Sequence, residues 1–567
     1  MSDSENAKRL FFEALAFIDS SNFQDAEQRL REALQLAPEN AFILTNLSVV
    51  LAQQSQRIHA REYAEKAISI NPDNIEALLV LVDCYTHNGS HTEALAAYDK
   101  IIFLDPKFAQ AHNNRGVILQ NFGRYAEALD SFDRAIALES NFSDAHVNRG
   151  NALRHLQLYD DALVAYDKAL ALNSHLPQAW LGRGNVFCEL KRHDEAVDAY
   201  DKALVQKPDF ADAWLGRGNV LSELKRNDDA FDAYGKALAQ KPDFAEAWLG
   251  RGNVLCELKR YDEALDAHEK ALAQKPDFAE AWHGRGNVFH DLKRFDEALA
   301  AYDKALALNP DFVSAWLGRG GALRLLRRAQ DSIAAYRQAL KLGGDVESIK
   351  YYLAALGAEP LPAAPPERFV ANLFDSYADN FDHDLIVNLK YGMPILLADA
   401  IKRYASSNTL DILDMGCGTG LMGEHIRPLR RTLTGVDLSA NMLEKARQRQ
   451  IYDQLFCCDL IEFLRSQDRI FDLAVAADVL VYLGDLSLVF QGVGRALRAG
   501  GLFCFSVEAT GENDFVLRST LRYAHSIGYL RKLADHNQFV VETIEPQIVR
   551  RDSGADINGY LAVMRCS

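Results

Sequence analysis

Small and apolar residues over the first 344 positions recur in a fixed 34-residue frame, whereas beyond residue 409 they gather in short uninterrupted runs. All five tryptophans, Trp180, Trp214, Trp248, Trp282 and Trp316, stand one frame apart. A unit begun at residue 177 puts Trp180 at its fourth position, then Gly184, Ala196, Tyr200, Ala203 and finally Pro208. Carried in both directions, the frame gives ten units starting at 7, 41, 75, 109, 143, 177, 211, 245, 279 and 313. The column of Ala196 is alanine in nine of them, and Ser332 is the departure. Such a unit predicts two antiparallel helices: Gly184 and Ala196 allow close approach, Trp180, Phe187 and Tyr200 fill the space, and Pro208 stops the second helix. One unit cannot bury its own apolar face, so the frame predicts a stacked α-solenoid, a superhelix over residues 7–344.

After Gly343-Gly344 the frame fails. Val346, Ile349, Tyr352, Leu353 and Leu356 predict one amphipathic helix that caps the solenoid, and the proline-rich stretch 360–366 reads as a stiff spacer, so residues 345–366 form a cap and linker. In residues 367–567 the runs Leu410 to Asp414, Leu433 to Asp437, Leu455 to Cys458, Phe471 to Ala476 and Leu502 to Val507 alternate with helical stretches. That alternation predicts an α/β domain with a parallel sheet and crossover helices.

Composition narrows the function classes. Hydrophobic residues make up 49% and charged residues 25% of 567, ordinary globular usage that excludes collagen-like, disordered and low-complexity chains. The formal charge of −17 gives duplex nucleic acid and acidic membrane surfaces no electrostatic footing, so no nucleic-acid partner is expected. Eight cysteines form no CxxC pair and have no zinc-like histidine spacing, which predicts reduced thiols and no metal site. After Lys8 and Arg9, Glu13 and Asp19 interrupt the apolar start, and no uncharged apolar run reaches the membrane-spanning length of about 18 residues. The expectation is a cytoplasmic protein without membrane insertion; oligomeric state is open.

The 34-residue unit closely resembles the tetratricopeptide repeat. The resemblance implies a concave groove faced by the ninth position, which is Asn151, Asn185, Asn219, Asn253 and Asn287 in five successive units. An asparagine amide donates and accepts at once, so this ladder is a candidate for holding a protein or peptide by its backbone. Acidic neighbours such as Glu189 and Glu257 make the groove mildly negative, and the Lys-Arg pairs beginning at 191, 225, 259 and 293 fall in turns, as a solvated ridge.

In the second half, the first apolar run ends in Asp414-Met415-Gly416-Cys417-Gly418-Thr419-Gly420, a glycine-rich turn into a helix that leaves backbone N–H groups free for a ligand. Leu421 stands where a dinucleotide fingerprint needs Gly or Ala, and Asp414 would repel a pyrophosphate while suiting a cationic tail. Asp437 ends the second run, where a carboxylate can accept from ribose hydroxyls. At these residues the chain resembles class I S-adenosylmethionine-dependent methyltransferases, of Rossmann-like fold. The resemblance implies S-adenosyl-L-methionine as cofactor, bound by Asp414, Gly416, Cys417, Gly418, Gly420, Asp437, Leu438, Asp459, Leu460, Asp478 and Val479. Asp472 is expected to cap a strand and Cys457-Cys458 to be core thiols. The joint architecture is similar to predicted bacterial tetratricopeptide–methyltransferase fusions, in which the stretch Phe374 to Asp382 and the motif Arg522-Tyr523-Ala524-His525-Ser526 recur.

Methyl transfer from a sulfonium is an in-line displacement that needs alignment and dry surroundings more than a base. Where a base is used, His525 is the candidate, with Tyr377 closing over the cofactor and Tyr482 lining the acceptor pocket. Two readings stand: an enzyme whose array recruits a protein or protein-bound acceptor, or a scaffold whose second domain binds cofactor with little or no turnover. Small-molecule methylation, with the array used for assembly, also stays open.

Overall fold

The computed structural model describes residues 3–377, 381–383, 391–407, 409–511, 513–552 and 555–567, without the side chains of Asn372, Ser376, Tyr377, His383 and Asp552. The chain divides into two compact units, Met1–Pro276 and Asp277–Ser567. The first holds sixteen described helices, from Asp3–Asp19 to Tyr261–Gln274. The second begins with the helices Ala279–Asp291, Phe295–Leu308, Val313–Leu325, Ala329–Lys341 and Val346–Ala355, then passes into a mixed α/β region. The architecture is a helical solenoid followed by a sheet domain.

The repeat core is built on glycine and tyrosine. A Cβ on Gly184 would lie 2.6 Å from the Tyr200 ring, and one on Gly216 would lie 2.6 Å from the same ring. Each such ring is thus held between a glycine of its own unit and one of the next, a contact no larger residue permits. The tryptophans, expected between the helices, lie half-buried at the rim: the Trp214 indole N–H donates to Pro208 O at 2.9 Å, and Lys236 Nζ sits 4.3 Å above the ring. Tyrosine occupies the centre because it fits between glycines, and the bulkier indole keeps a polar edge near water. At the departure, the buried Ser332 Oγ donates to Gly320 O at 2.7 Å, so the extra hydroxyl is satisfied. In the turns, Lys191, Lys225, Lys259 and Lys293 adopt φ of 56 to 59°, where earlier units carry Gly89 and Gly123.

Nine strands are described: β1 Leu410–Met415, β2 Arg430–Asp437, β3 Gln454–Cys457, β4 Phe471–Ala476, β5 Leu497–Ala509, β6 Phe515–Leu517, β7 Tyr523–His525, β8 Phe539–Asp552 and β9 Ala555–Cys566. They form one sheet in the order β3-β2-β1-β4-β5-β7-β6, with β9 antiparallel to β5 and β8 outside it. β1 to β5 are mutually parallel, and β1 is buried at every position. Two apolar clusters cover the sheet's faces, one around Phe490, Phe503 and Phe505, the other around Leu397, Ile401 and Leu433. Asp472 accepts from Asp411 N at 2.9 Å and from Arg498, tying the start of β4 to that of β1. Cys457, expected in the core, is exposed and Cys458 half-buried, because β3 is the sheet's edge.

The helix Val346–Ala355 packs Ile349 and Leu353 onto Tyr336 and Ala339 of the last repeat. The proline-rich stretch after it does more than span. Pro362 O accepts from the Tyr523 hydroxyl at 2.8 Å, and Ala363 O accepts from the backbone N–H of Gly484 at 2.8 Å and of Asp485 at 3.2 Å. No helix among the described residues is long and apolar enough to cross a membrane.

Candidate active site

A cavity of about 580 Å³ opens at the carboxyl ends of β1, β2 and β4, the position where open α/β sheets bind ligands. One wall is the loop after β1. Gly416, Gly418 and Gly420 take φ of 64, 52 and 92°, a left-handed path that favours glycine. Gly416 is confined as well: a Cβ there would lie 2.2 Å from Val479 Cγ2. Gly416, Cys417 and Gly418 line the cavity, while Gly420 stands behind it as the residue preceding the helix Leu421–Ile426. Burial pushes the Cys417 thiol well up, which keeps it protonated and inert.

Asp437, at the end of β2, faces the cavity with a carboxylate already oriented. Its Oδ2 accepts from Gly418 N at 2.8 Å and its Oδ1 from Ser439 N at 2.9 Å. Burial raises its pKa, and these bonds oppose the rise by favouring the charged form. Leu438, Asp459 and Leu460 continue the same wall. Asp459 is in addition the N-cap of the helix Leu460–Arg465, its Oδ1 accepting from Glu462 N at 2.9 Å.

Asp414 does not line the cavity; it is buried directly behind the loop. Its Oδ2 accepts from the Tyr452 hydroxyl at 2.6 Å, and its Oδ1 has no hydrogen-bond partner. Burial raises its pKa to about 7. The loop's N–H groups, expected free, are in part taken: Cys417 N donates to Val436 O at 3.0 Å, Gly418 N to Asp437 and Gly420 N to Cys417 O at 2.8 Å. An orphan carboxylate oxygen behind the loop, with a second carboxylate on the wall, fits a nucleoside that carries a cationic tail and repels a pyrophosphate.

At the other end of the cavity the backbone of Asp478 sits at φ 57° after β4, its N–H donating to Ser506 Oγ at 3.0 Å. Its carboxylate faces two guanidiniums, Arg550 at 3.2 Å and Arg522 at 3.6 Å. Val479 and Tyr482 complete this wall, Tyr482 meeting Phe374 edge-on at 5.2 Å and lying under Arg522 at 5.4 Å. Burial raises the Tyr482 phenol, so it stays protonated.

His525 has a different place from the one expected of a base. It is fully buried on β7, off the cavity wall, with Nε2 3.0 Å from Gly484 O, and burial lowers its pKa to about 4. The reason is topological: β7 lies beyond β5, and His525 packs into the Phe515 and Tyr529 rings. Tyr377's side chain lies outside the described residues. Among the wall residues that sequence reasoning missed are Ala364 and Pro365 of the linker, Tyr391 and Arg522. Of these only Arg522 carried a signal, as the first residue of the Arg522-to-Ser526 motif.

In the repeats, the ladder asparagines are tied inward on one side. The hydroxyls of Tyr166, Tyr200, Tyr234 and Tyr302 donate to Oδ1 of Asn151, Asn185, Asn219 and Asn287, each at 2.8 Å. The unit of Asn253 carries His268 in the tyrosine column, with Gly252 against its ring. These asparagines are half-buried or exposed. In Asn151, Asn185, Asn219 and Asn287 the acceptor atom serves the core, so there the ladder expected to both donate and accept keeps its donor side for a partner.

Comparison with known proteins gives two kinds of match. A methyltransferase domain model matches residues 413–503, and tetratricopeptide repeat models match residues 51–115, 109–142, 143–176, 211–244 and 279–312, with a related repeat model on 184–225 and 252–293. Among curated proteins, a malonyl-[acyl-carrier protein] O-methyltransferase of Yersinia pestis is 35% identical over 103 residues, 18% of this chain and 38% of that protein. A namesake from Pseudescherichia vulneris is 31% identical over 145 residues, 26% of this chain and 55% of that one. The chain spans about half the length, or less, of these relatives. The crystal structure of YrrB, described as a TPR protein with an unusual peptide-binding site, matches with 29% identity and a TM-score of 0.28 over 32% of this chain and 95% of that one. The chain is a fusion of tetratricopeptide repeats with a methyltransferase domain.

Proposed function

We propose that the protein transfers a methyl group from S-adenosyl-L-methionine to an acceptor borne on a protein, which the repeats recruit. One observation carries the reading: a single cavity joins the Gly416–Gly418 loop and Asp437 at one end to Asp478, Val479 and Tyr482 at the other. The first end suits a ribonucleoside: Asp437 would accept from ribose hydroxyls, Leu438 and Leu460 would flank the base, and the orphan Asp414 Oδ1 behind the loop would favour a cationic tail. When bound, the cofactor supplies an electrophilic methyl on a sulfonium. The chain's part is to align an acceptor and exclude water, and the largely apolar wall of Val370, Phe374, Leu483 and Leu488 supports that. The named acceptor of the curated relatives is attached to a carrier protein, an acceptor of the kind that an array can bring to a site. Asn185 and Asn219, whose amide N–H groups are left for a partner once Oδ1 is taken by tyrosine, are the proposed backbone contacts.

The test is calorimetric titration of the full chain with S-adenosylhomocysteine and with NADH. Binding of the nucleoside, lost in Asp437→Ala, supports the reading; NADH binding as tight or tighter overturns it. Labelled cofactor incubated with cell lysate should then leave label in the macromolecular pool, and label confined to small molecules would remove the recruitment role.

A further inference from the structure

Three guanidiniums and two carboxylates meet beside the acceptor end of the cavity. Arg550, 3% exposed, pairs with Glu508 and with Asp478 at 3.2 Å. Arg518 pairs with Glu508 at 3.2 Å and donates to Ala509 O at 2.6 Å. Both carboxylates are therefore engaged before Arg522 is counted; among the described residues Arg522 has Asp478 as its ion-pair partner, at a longer 3.6 Å, besides its contact with Tyr482. Its Nη1 is buried without a hydrogen-bond partner. A surplus cation whose donor is buried and unmet is costly unless an anion arrives.

A second donor on the same cavity is unmet. Tyr391 lines the wall, and its hydroxyl is buried with no hydrogen-bond partner among the described residues. Its phenol is held protonated by burial, so it donates and does not act as a base. No histidine or lysine lines the cavity among the described residues; of its carboxylates, Asp437 is held by backbone N–H groups, Asp459 caps a helix, Asp478 is the counter-ion of two arginines, and Glu367 and Glu462 are exposed. The site thus offers two donors for an anion and, among the described residues, no buried base held ready for a neutral nucleophile.

Resting on the methyltransferase reading above, we infer that the acceptor is a carboxylate, held by the Arg522 guanidinium and the Tyr391 hydroxyl, and that its methyl ester is the product. A carboxylate arrives already ionised, so the missing base is no obstacle. In the step, one carboxylate oxygen forms the new O–CH3 bond with its lone pair, the C–S bond breaks and its electron pair stays on sulfur. The sulfonium becomes a neutral thioether, the carboxylate a neutral ester, and no proton moves. The ester no longer pairs with Arg522, which loosens the product relative to the substrate.

The experiment uses the full chain, methyl-labelled cofactor and a lysate protein fraction as probe acceptor. Mild alkali splits a carboxyl methyl ester and releases the label as volatile methanol, while N-methyl and ether O-methyl label survives. Volatile label is expected. Arg522→Gln should keep S-adenosylhomocysteine affinity within about 2-fold yet lower ester formation by roughly 30-fold or more, and Tyr391→Phe, a gentler change, by about 10-fold. Alkali-stable label overturns the inference and leaves the methyltransferase reading standing. Loss of S-adenosylhomocysteine binding in Arg522→Gln with Tyr391→Phe still active would also overturn it, since Arg522 would then hold the cofactor's own carboxylate. Absence of cofactor binding in the unaltered chain sinks both readings.

Discussion

Gly416 carries two separable constraints, and replacing it with alanine measures them. At φ 64° an alanine costs about 1–2 kcal/mol in backbone strain. Its Cβ would also lie 2.2 Å from Val479 Cγ2 and 2.7 Å from Val479 Cβ, an overlap whose relief by shifting the loop or Val479 costs about 1–3 kcal/mol more. Gly418 is the internal control. It has φ 52°, but its Cβ would find only Phe381 Cε1 at 3.7 Å, so Gly418→Ala carries the backbone cost alone. Denaturant unfolding of the full chain, with the affected transition identified by its response to S-adenosylhomocysteine, should rank Gly416→Ala below Gly418→Ala. Pairing Gly416→Ala with Val479→Ala should return about 1–3 kcal/mol as coupling energy, because the shortened side chain vacates the overlap. Since both residues line the cavity, ligand affinity should fall in Gly416→Ala and recover in part in the double variant. Equal damage from the two glycine substitutions, with no coupling to Val479, would refute the wedge.

Lys191 closes a repeat turn at φ 56°, a conformation that costs a side-chain-bearing residue, so Lys191→Gly should stabilise the array by roughly 0.5–1 kcal/mol in denaturant unfolding; destabilisation would mean that the lysine's contacts outweigh its backbone strain. Asp414, raised to about 7 by burial, contributes stability that is fully present below its unfolded pKa near 4 and lost as pH rises through 7. The unliganded chain should therefore lose stability from pH 5 to pH 8 relative to Asp414→Asn, by an amount on the order of a few kcal/mol. Affinity for a cationic nucleoside should rise over the same window in the unaltered chain and stay flat in the variant; parallel profiles would mean that Asp414 senses neither fold nor ligand.

Periodicity made the solenoid legible, because each unit repeats one packing problem and solves it with the same glycine, alanine and aromatic columns. It did not reveal the Tyr-to-Asn bonds, although the two columns stand 15 residues apart in every bonded unit. A position read as pointing to a partner can also satisfy a buried hydroxyl, and one amide has atoms for both. In the second half the five parallel runs and the loop from Asp414 to Gly420 were legible because each is local. The acceptor end was not. Arg522, Tyr391 and Pro365 are far apart in the chain: Arg522 arrives just ahead of β7, which lies beyond β5, and Pro365 with the linker that Tyr523 and Gly484 hold. The same order took His525 into the core, since β7 is buried at all three positions and His525 meets the Phe515 and Tyr529 rings.

The linker decides whether the repeats act as a tether alone. A tether would raise the acceptor's effective concentration and leave the site untouched. Here Pro362 and Ala363 are bonded to Tyr523, Gly484 and Asp485, and Ala364 and Pro365 are part of the cavity wall, so the chain crosses the site before entering the sheet domain. A flexible glycine-serine segment inserted after Ala358, ahead of these bonds, should leave S-adenosylhomocysteine affinity unchanged and lower turnover on a protein-borne acceptor. The same segment inserted after Pro366 separates the wall from the helix Glu367–Tyr377, whose Glu367, Val370 and Phe374 line the cavity too, and should weaken ligand binding by about 10-fold, the equivalent of one or two lost contacts. Calorimetry on both full-length variants reads the difference directly. If the two insertions give the same ligand affinity, the strap carries no weight in the site and the linker is a spacer after all.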